Sequence, residues 1–249
     1  MYQIPDHISI SIIEHLCSRN NLISNFLLEI HLLKSTFVKS MFMSLSVEDL
    51  EEQTKFRLLL TIPYTELIQF VFDYLKRKSV LIFFLWFVCL IFLLGAILIR
   101  IKIASIFPSG QIIFHSALGC ILLPLIFIPI HEFLHIIPYF LSGAKNIRVG
   151  MDLKQFLFYV SAHRYVASPL QFIIVAFTPF VVISGGLIFL IIFLPGLWKW
   201  SFSIFLFVHT TMCAGDFALL NLYFLNRDKK IFTWDDLDKK EAYFYEEVN

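Results

Sequence analysis

Charge is what this sequence has least of. Only 16% of its 249 residues are Asp, Glu, Lys or Arg, where a soluble domain carries about a quarter. With 58% hydrophobic residues and 29 Phe, the shortage excludes an ordinary soluble domain and points to an all-α polytopic membrane protein in a lipid bilayer. A net charge of +1 gives no basis for a nucleic-acid partner. Cysteine is sparse as well. Cys17, Cys89, Cys120 and Cys213 are scattered without C-x-x-C spacing and read as small apolar residues, not as a disulfide or thiolate site. The N-terminus lacks a basic segment followed by a short apolar one, so no cleavable signal peptide is expected and the first span must do the targeting. Internal repeats and low-complexity tracts are also missing.

Long apolar runs are present. Residues 1–78 contain none that could cross a bilayer and are expected to form a non-spanning, helical, cytoplasmic region. Within it, residues 21–42 suggest an amphipathic helix, and Ser46-Val47-Glu48-Asp49 resembles a capping signal. Pro63 breaks the next run, leaving Thr65 to Leu75 for another short helix. Residues 79–225 carry about four spanning helices, at Val80–Ile99, Gln111–Leu141, Leu170–Leu194 and Leu197–Leu225. The second is longer than a bilayer core of about 30 Å requires, so it must tilt, kink or break at Pro124, Pro129 or Pro138. Arg148 to Val160, between the second and third spans, has the partial alternation of a short β-hairpin. Residues 226–249 read as a polar cytoplasmic tail. Lys76, Arg77, Lys78, Lys145, Arg148, Lys154, Arg164, Arg227, Lys229 and Lys230 then fall on one side, and Arg100, Lys102 and Lys199 on the other. This bias places both termini in the cytoplasm of a multi-pass protein of the cell membrane.

The chemistry is concentrated in His131-Glu132-Phe133-Leu134-His135. On a helix the two histidines share a face and can hold one metal, while Glu132 can take a proton from water. At this chain's own residue frequencies the motif arises by chance about once in 100 such chains, and ionisable groups at membrane depth are expected to be functional. A catalytic zinc takes three protein ligands, so one more is needed. The position six residues beyond His135 is Leu141, which excludes a third motif histidine, and Glu132 is followed by no further Glu before Glu241. Only Glu132, Asp152 and Asp216 are acidic between Ser79 and Leu225. Asp216 is preferred: it lies nine residues (~14 Å) from the end of its helix, and His131 lies ten (~15 Å) from the same side. The ordinary alternative is a lone acid paired with a histidine or a backbone group. His209, seven residues earlier, is an alternative ligand, a partner behind one, or an oxyanion stabiliser. His163 and His115 are weaker candidates, and Asn221 offers a hydrogen bond to a substrate backbone.

A broken H-E-x-x-H span, a long loop, a proline-containing span and a later Gly215-Asp216 pair together resemble the bacterial membrane family named "Putative zincin peptidase" and, more distantly, the site-2 intramembrane metalloproteases. The likeness covers about Ser79 to Leu225. It implies Zn2+ held by His131, His135 and Asp216, with Glu132 as general base. The site-2 aspartate sits in Asn-Pro-Asp-Gly, whereas here the sequence is Ala214-Gly215-Asp216-Phe217.

The function expected is a membrane-embedded zinc metalloprotease that cleaves a membrane protein or peptide substrate, with the hairpin region offering a strand edge to it. The alternatives are a non-enzymatic protein using the same cluster for metal or proton transport, and an inactive metal-stabilised scaffold.

Overall fold

The computed structural model describes residues 45–52, 54–152 and 157–248. The expected amphipathic helix over 21–42, His7, His15, His31 and Lys154 lie outside them. Ser46 opens α1 (Val47–Glu51) with the expected capping box: its Oγ accepts the Asp49 N–H at 3.2 Å while the Asp49 carboxylate accepts the Ser46 N–H at 2.8 Å.

The chain then departs from the all-helical expectation. Phe56–Pro63 is a strand, β1, followed by a 3-10 turn and α2 (Leu67–Lys76). The stretch read as a polar tail is a second surprise, since it folds into β4 (Ile231–Asp236) and β5 (Glu241–Glu247). β5 lies between β1 and β4 in an antiparallel sheet, with Phe56 opposite Glu247 and Ile231 opposite Glu246. Alternate residues of β5 are buried, the period of a half-covered strand. Glu246 accepts from Arg57 of β1 and from Lys229 in the turn before β4.

Among the described residues, three helices are long and apolar enough to cross a membrane. The first, α3 (Val80–Ala104), is capped by Ser79, whose Oγ accepts the Ile82 N–H. The second is continuous from Ser109 to Leu141, made of α4 (Ser109–Ala117), a π turn over Leu118–Leu122 and α5 (Leu123–Leu141). It is not broken at its prolines. The irregularity comes just before Pro124, where Gly119 meets another helix so closely that a Cβ there would lie 2.4 Å from the Ser201 carbonyl. Gly143, at φ 94°, turns the chain out of α5. The third is α6 (Pro169–Phe193). The expected fourth is a pair, α7 (Gly196–Met212) and α8 (Ala214–Leu225), bent by 43° around Cys213. Outward faces are apolar, as in Phe83, Phe87, Leu90 and Leu98 of α3.

The expected hairpin is present: β2 (Ile147–Asp152) pairs antiparallel with β3 (Leu157–Ala162). The loop after β3 is stitched to β4 by the Ala167 and Thr233 backbones, at 2.8 and 3.1 Å. Hairpin and sheet thus cap one end of the helices, and Ile231, Ala242 and Phe244 pack beneath Phe172, Phe217 and Tyr223 in the main core.

Candidate metal centre

α5 carries His131 and His135 four residues apart, each 7% exposed. Both present Nε2 to Asp216, which stands in the first turn of α8, just past the bend at Cys213. Asp216 Oδ2 lies 3.2 Å from His131 Nε2, and Oδ1 lies 3.5 Å from His135 Nε2. Two imidazole nitrogens thus converge on one carboxylate, and His/His/Asp is a donor set suited to zinc. Ligand atoms of His131, Glu132 and His135 also lie within 4.8 Å of one another.

The remaining ring nitrogens are engaged too. His135 Nδ1 donates to the Val175 carbonyl on α6 at 2.9 Å. That carbonyl is available because Pro179, four residues on, has no N–H to bond it within the helix. A proline in an apolar span therefore sets which His135 nitrogen faces the site, a role that sequence reading did not assign to it. His131 Nδ1 faces His209 Nε2 at 3.5 Å.

Glu132 borders a cavity of about 500 Å³ that also exposes His131, His135 and Asp216. Its walls are apolar: Ile68 and Phe72 of α2, Phe158 of β3, Phe172 of α6 and Leu219 of α8. The Glu132 carboxylate accepts the Val160 N–H of β3, so the side of β3 not paired with β2 faces the cavity. Gly150 on β2 leaves room for the Tyr159 ring opposite, since a Cβ would sit 2.2 Å from it.

Residues 124–231 match the family model described as "Putative zincin peptidase". The match to these zincin peptidases begins at Pro124, takes in His131, Glu132, His135 and Asp216, and ends at the first residue of β4. It supports a zinc metallopeptidase at that level. No curated protein and no solved structure matches the chain, so the likeness to site-2 proteases rests on the motifs alone.

Other sequence candidates fall elsewhere. His115 Nδ1 meets Ser201 Oγ at 2.8 Å, far along the helix from His131. His163 Nδ1 accepts the Leu237 N–H at 3.1 Å, with Asp238 3.5 Å from its Nε2, and belongs to the β-cap. Asn221, a candidate donor to a substrate backbone, donates to the Tyr74 and Arg77 carbonyls at 2.8 and 3.1 Å, closing the end of α2.

Proposed function

We propose that this chain is a membrane-embedded zinc metallopeptidase, in which His131, His135 and Asp216 hold the ion and Glu132 is the general base. The observation that carries the reading is the convergence of both motif Nε2 atoms on Asp216, with Glu132 alongside in an apolar cavity. Zinc bound there supplies Lewis-acid activation of water and of the scissile carbonyl.

The chain's own residues do the rest. Glu132, steadied by the Val160 N–H, takes a proton from the attacking water as its oxygen bonds the carbonyl carbon. It returns that proton to the amine nitrogen as the C–N bond breaks. Asp216 offsets cationic charge that burial would make costly. Apolar walls favour an apolar substrate segment, which must be unwound because a helix hides its carbonyls. The open side of β3 is suited to holding such a segment by strand addition; proline substitutions at Phe158 or Val160 that left reporter cleavage unchanged would remove β3 from substrate binding.

Two observations weigh against the rival readings. His209 meets the Nδ1 of His131, not the Nε2 that faces Asp216, and borders no part of the cavity, so it does not close the site as a scaffold's fourth ligand would. Apart from His131, Glu132, His135, Asp216 and two tyrosines the cavity lining is apolar, unlike a polar transport path.

The test is metal content and cleavage of a reporter membrane peptide for the detergent-purified wild type, Glu132→Gln and Asp216→Ala. Glu132→Gln should keep about one zinc and lose cleavage by about 10²-fold or more, while Asp216→Ala should lose the metal. Zinc flux without a cleavage product in the wild type would overturn the peptidase reading.

A further inference from the structure

Each histidine that ligates a metal through one ring nitrogen needs a partner for the other, because that partner sets the tautomer and the ring's aim. His135 has one in the Val175 carbonyl. For His131 the contact of Nδ1, among the described residues, is another imidazole: Nε2 of His209, at 3.5 Å. His209 is fully buried, and its own Nδ1 lies 3.5 Å from Ser184 Oγ on α6, itself 5% exposed. Both separations stand at the long end for hydrogen bonds, and bonds of this kind shorten when a site is engaged.

One assignment of protons satisfies every atom in this row. With His131 Nε2 facing the metal, its Nδ1–H donates, so His209 Nε2 accepts; His209 Nδ1–H then donates to Ser184 Oγ, a hydroxyl able to accept. We propose that His209 is a positioning residue that holds His131 with Nε2 toward the metal, with Ser184 fixing His209 in turn. This deepens the zinc-site reading above and rests on it. His209 borders no part of the cavity, so it acts through His131 and not on substrate. An amide or carbonyl oxygen would serve as acceptor; an apolar side chain of similar size would not.

A rival use of the same atoms exists. Cys213 Sγ lies 3.7 Å from His209 Nε2, and His131, His209 and Cys213 have ligand atoms within 4.8 Å of one another. An ion behind His131 would need all three as ligands, yet neither His209 nor Cys213 opens onto the cavity through which an ion reaches the front.

The experiment measures zinc affinity by chelator competition, and the visible and near-ultraviolet absorption of the cobalt-substituted form, on detergent-purified full-length protein. The variants are His209→Leu, His209→Gln, Ser184→Ala and Cys213→Ala, and melting of the chelator-stripped proteins separates misfolding from lost affinity. His209→Leu should bind zinc about 10- to 100-fold more weakly and change the cobalt bands. His209→Gln should restore both toward wild type, Ser184→Ala should fall between, and Cys213→Ala should match wild type. If His209→Leu misfolds, failure of His209→Gln to bind more tightly than His209→Ala, or wild-type behaviour of Ser184→Ala, overturns the proposal. So does a folded His209→Leu with wild-type affinity and bands, or a thiolate-to-cobalt transition that Cys213→Ala abolishes. Absence of zinc from the wild type, or its retention in His135→Ala, instead sinks the zinc-site reading itself.

Discussion

Asp235 shows how much a single buried acid can set in this molecule. It lies on β4, where Ser161 of β3 and Tyr64 donate to its carboxylate and His163 stands nearby. Burial, opposed by those partners, pushes its carboxyl up to about 6. The folded state therefore holds this proton more tightly than the unfolded chain, where Asp titrates near 3.9. The contribution to stability falls as pH rises from about 4 to about 6 and is level above. Asp235→Asn should lose that slope; melting temperatures from pH 4.5 to 7 that decline equally in wild type and variant would exclude Asp235 as its source. At the same scale, Asn221 closes the last carbonyls of α2. Asn221→Leu removes the side-chain donor from both, leaving the Tyr74 carbonyl only the Arg77 N–H, and should cost on the order of 1–2 kcal/mol, read as a lower melting temperature with zinc affinity retained.

Helices α5 and α6 divide the work of the site. α5 supplies two imidazoles four residues apart and the Glu132 carboxylate beside them, while α6 supplies what aims the imidazoles: the Val175 carbonyl and, through His209, Ser184. Pro179→Ala tests this division, because the restored N–H competes for the Val175 carbonyl. The helix should become more stable while zinc affinity falls, by about tenfold on the scale of such supporting contacts. Unchanged affinity in a folded variant would show that the carbonyl serves both donors equally. β3 depends on elements far from it in sequence. Its inner side reaches Glu132, its Ser161 reaches β4, and Tyr64 packs edge-on against Tyr159 with ring centroids 4.9 Å apart.

For the whole molecule, the β-cap and the loops bearing Lys76, Arg77, Lys78, Lys145, Arg148, Arg164, Arg227, Lys229 and Lys230 gather at one end of the helices, and Arg100, Lys102 and Lys199 lie at the other. We propose that the cap end is cytoplasmic in a protein of the cell membrane. In a cysteine-free background, Ser109→Cys should react with an impermeant maleimide on intact cells and Lys229→Cys only after permeabilisation. The opposite pattern would invert the orientation and put the site toward the outside.

What the sequence determined by itself was most of what has a local period. Apolar runs long enough for a bilayer marked the helices, and the four-residue spacing placed His131 and His135 on one face. Counting residues from a helix end put Asp216 at their level, and partial alternation marked the β2–β3 hairpin. Residues 241–247 alternate as well, a local period that the reading of a polar tail passed over. Tertiary structure decided the rest. β1 is a strand because its partner, β5, lies at the far end of the described chain, a pairing with no local signature. Whether Pro179 merely bends a helix or frees a carbonyl depends on what packs against it, and His135 does. His209 could be ligand or support by spacing alone; the side of His131 on which it stands is set by how α7 packs in three dimensions, which no local period encodes.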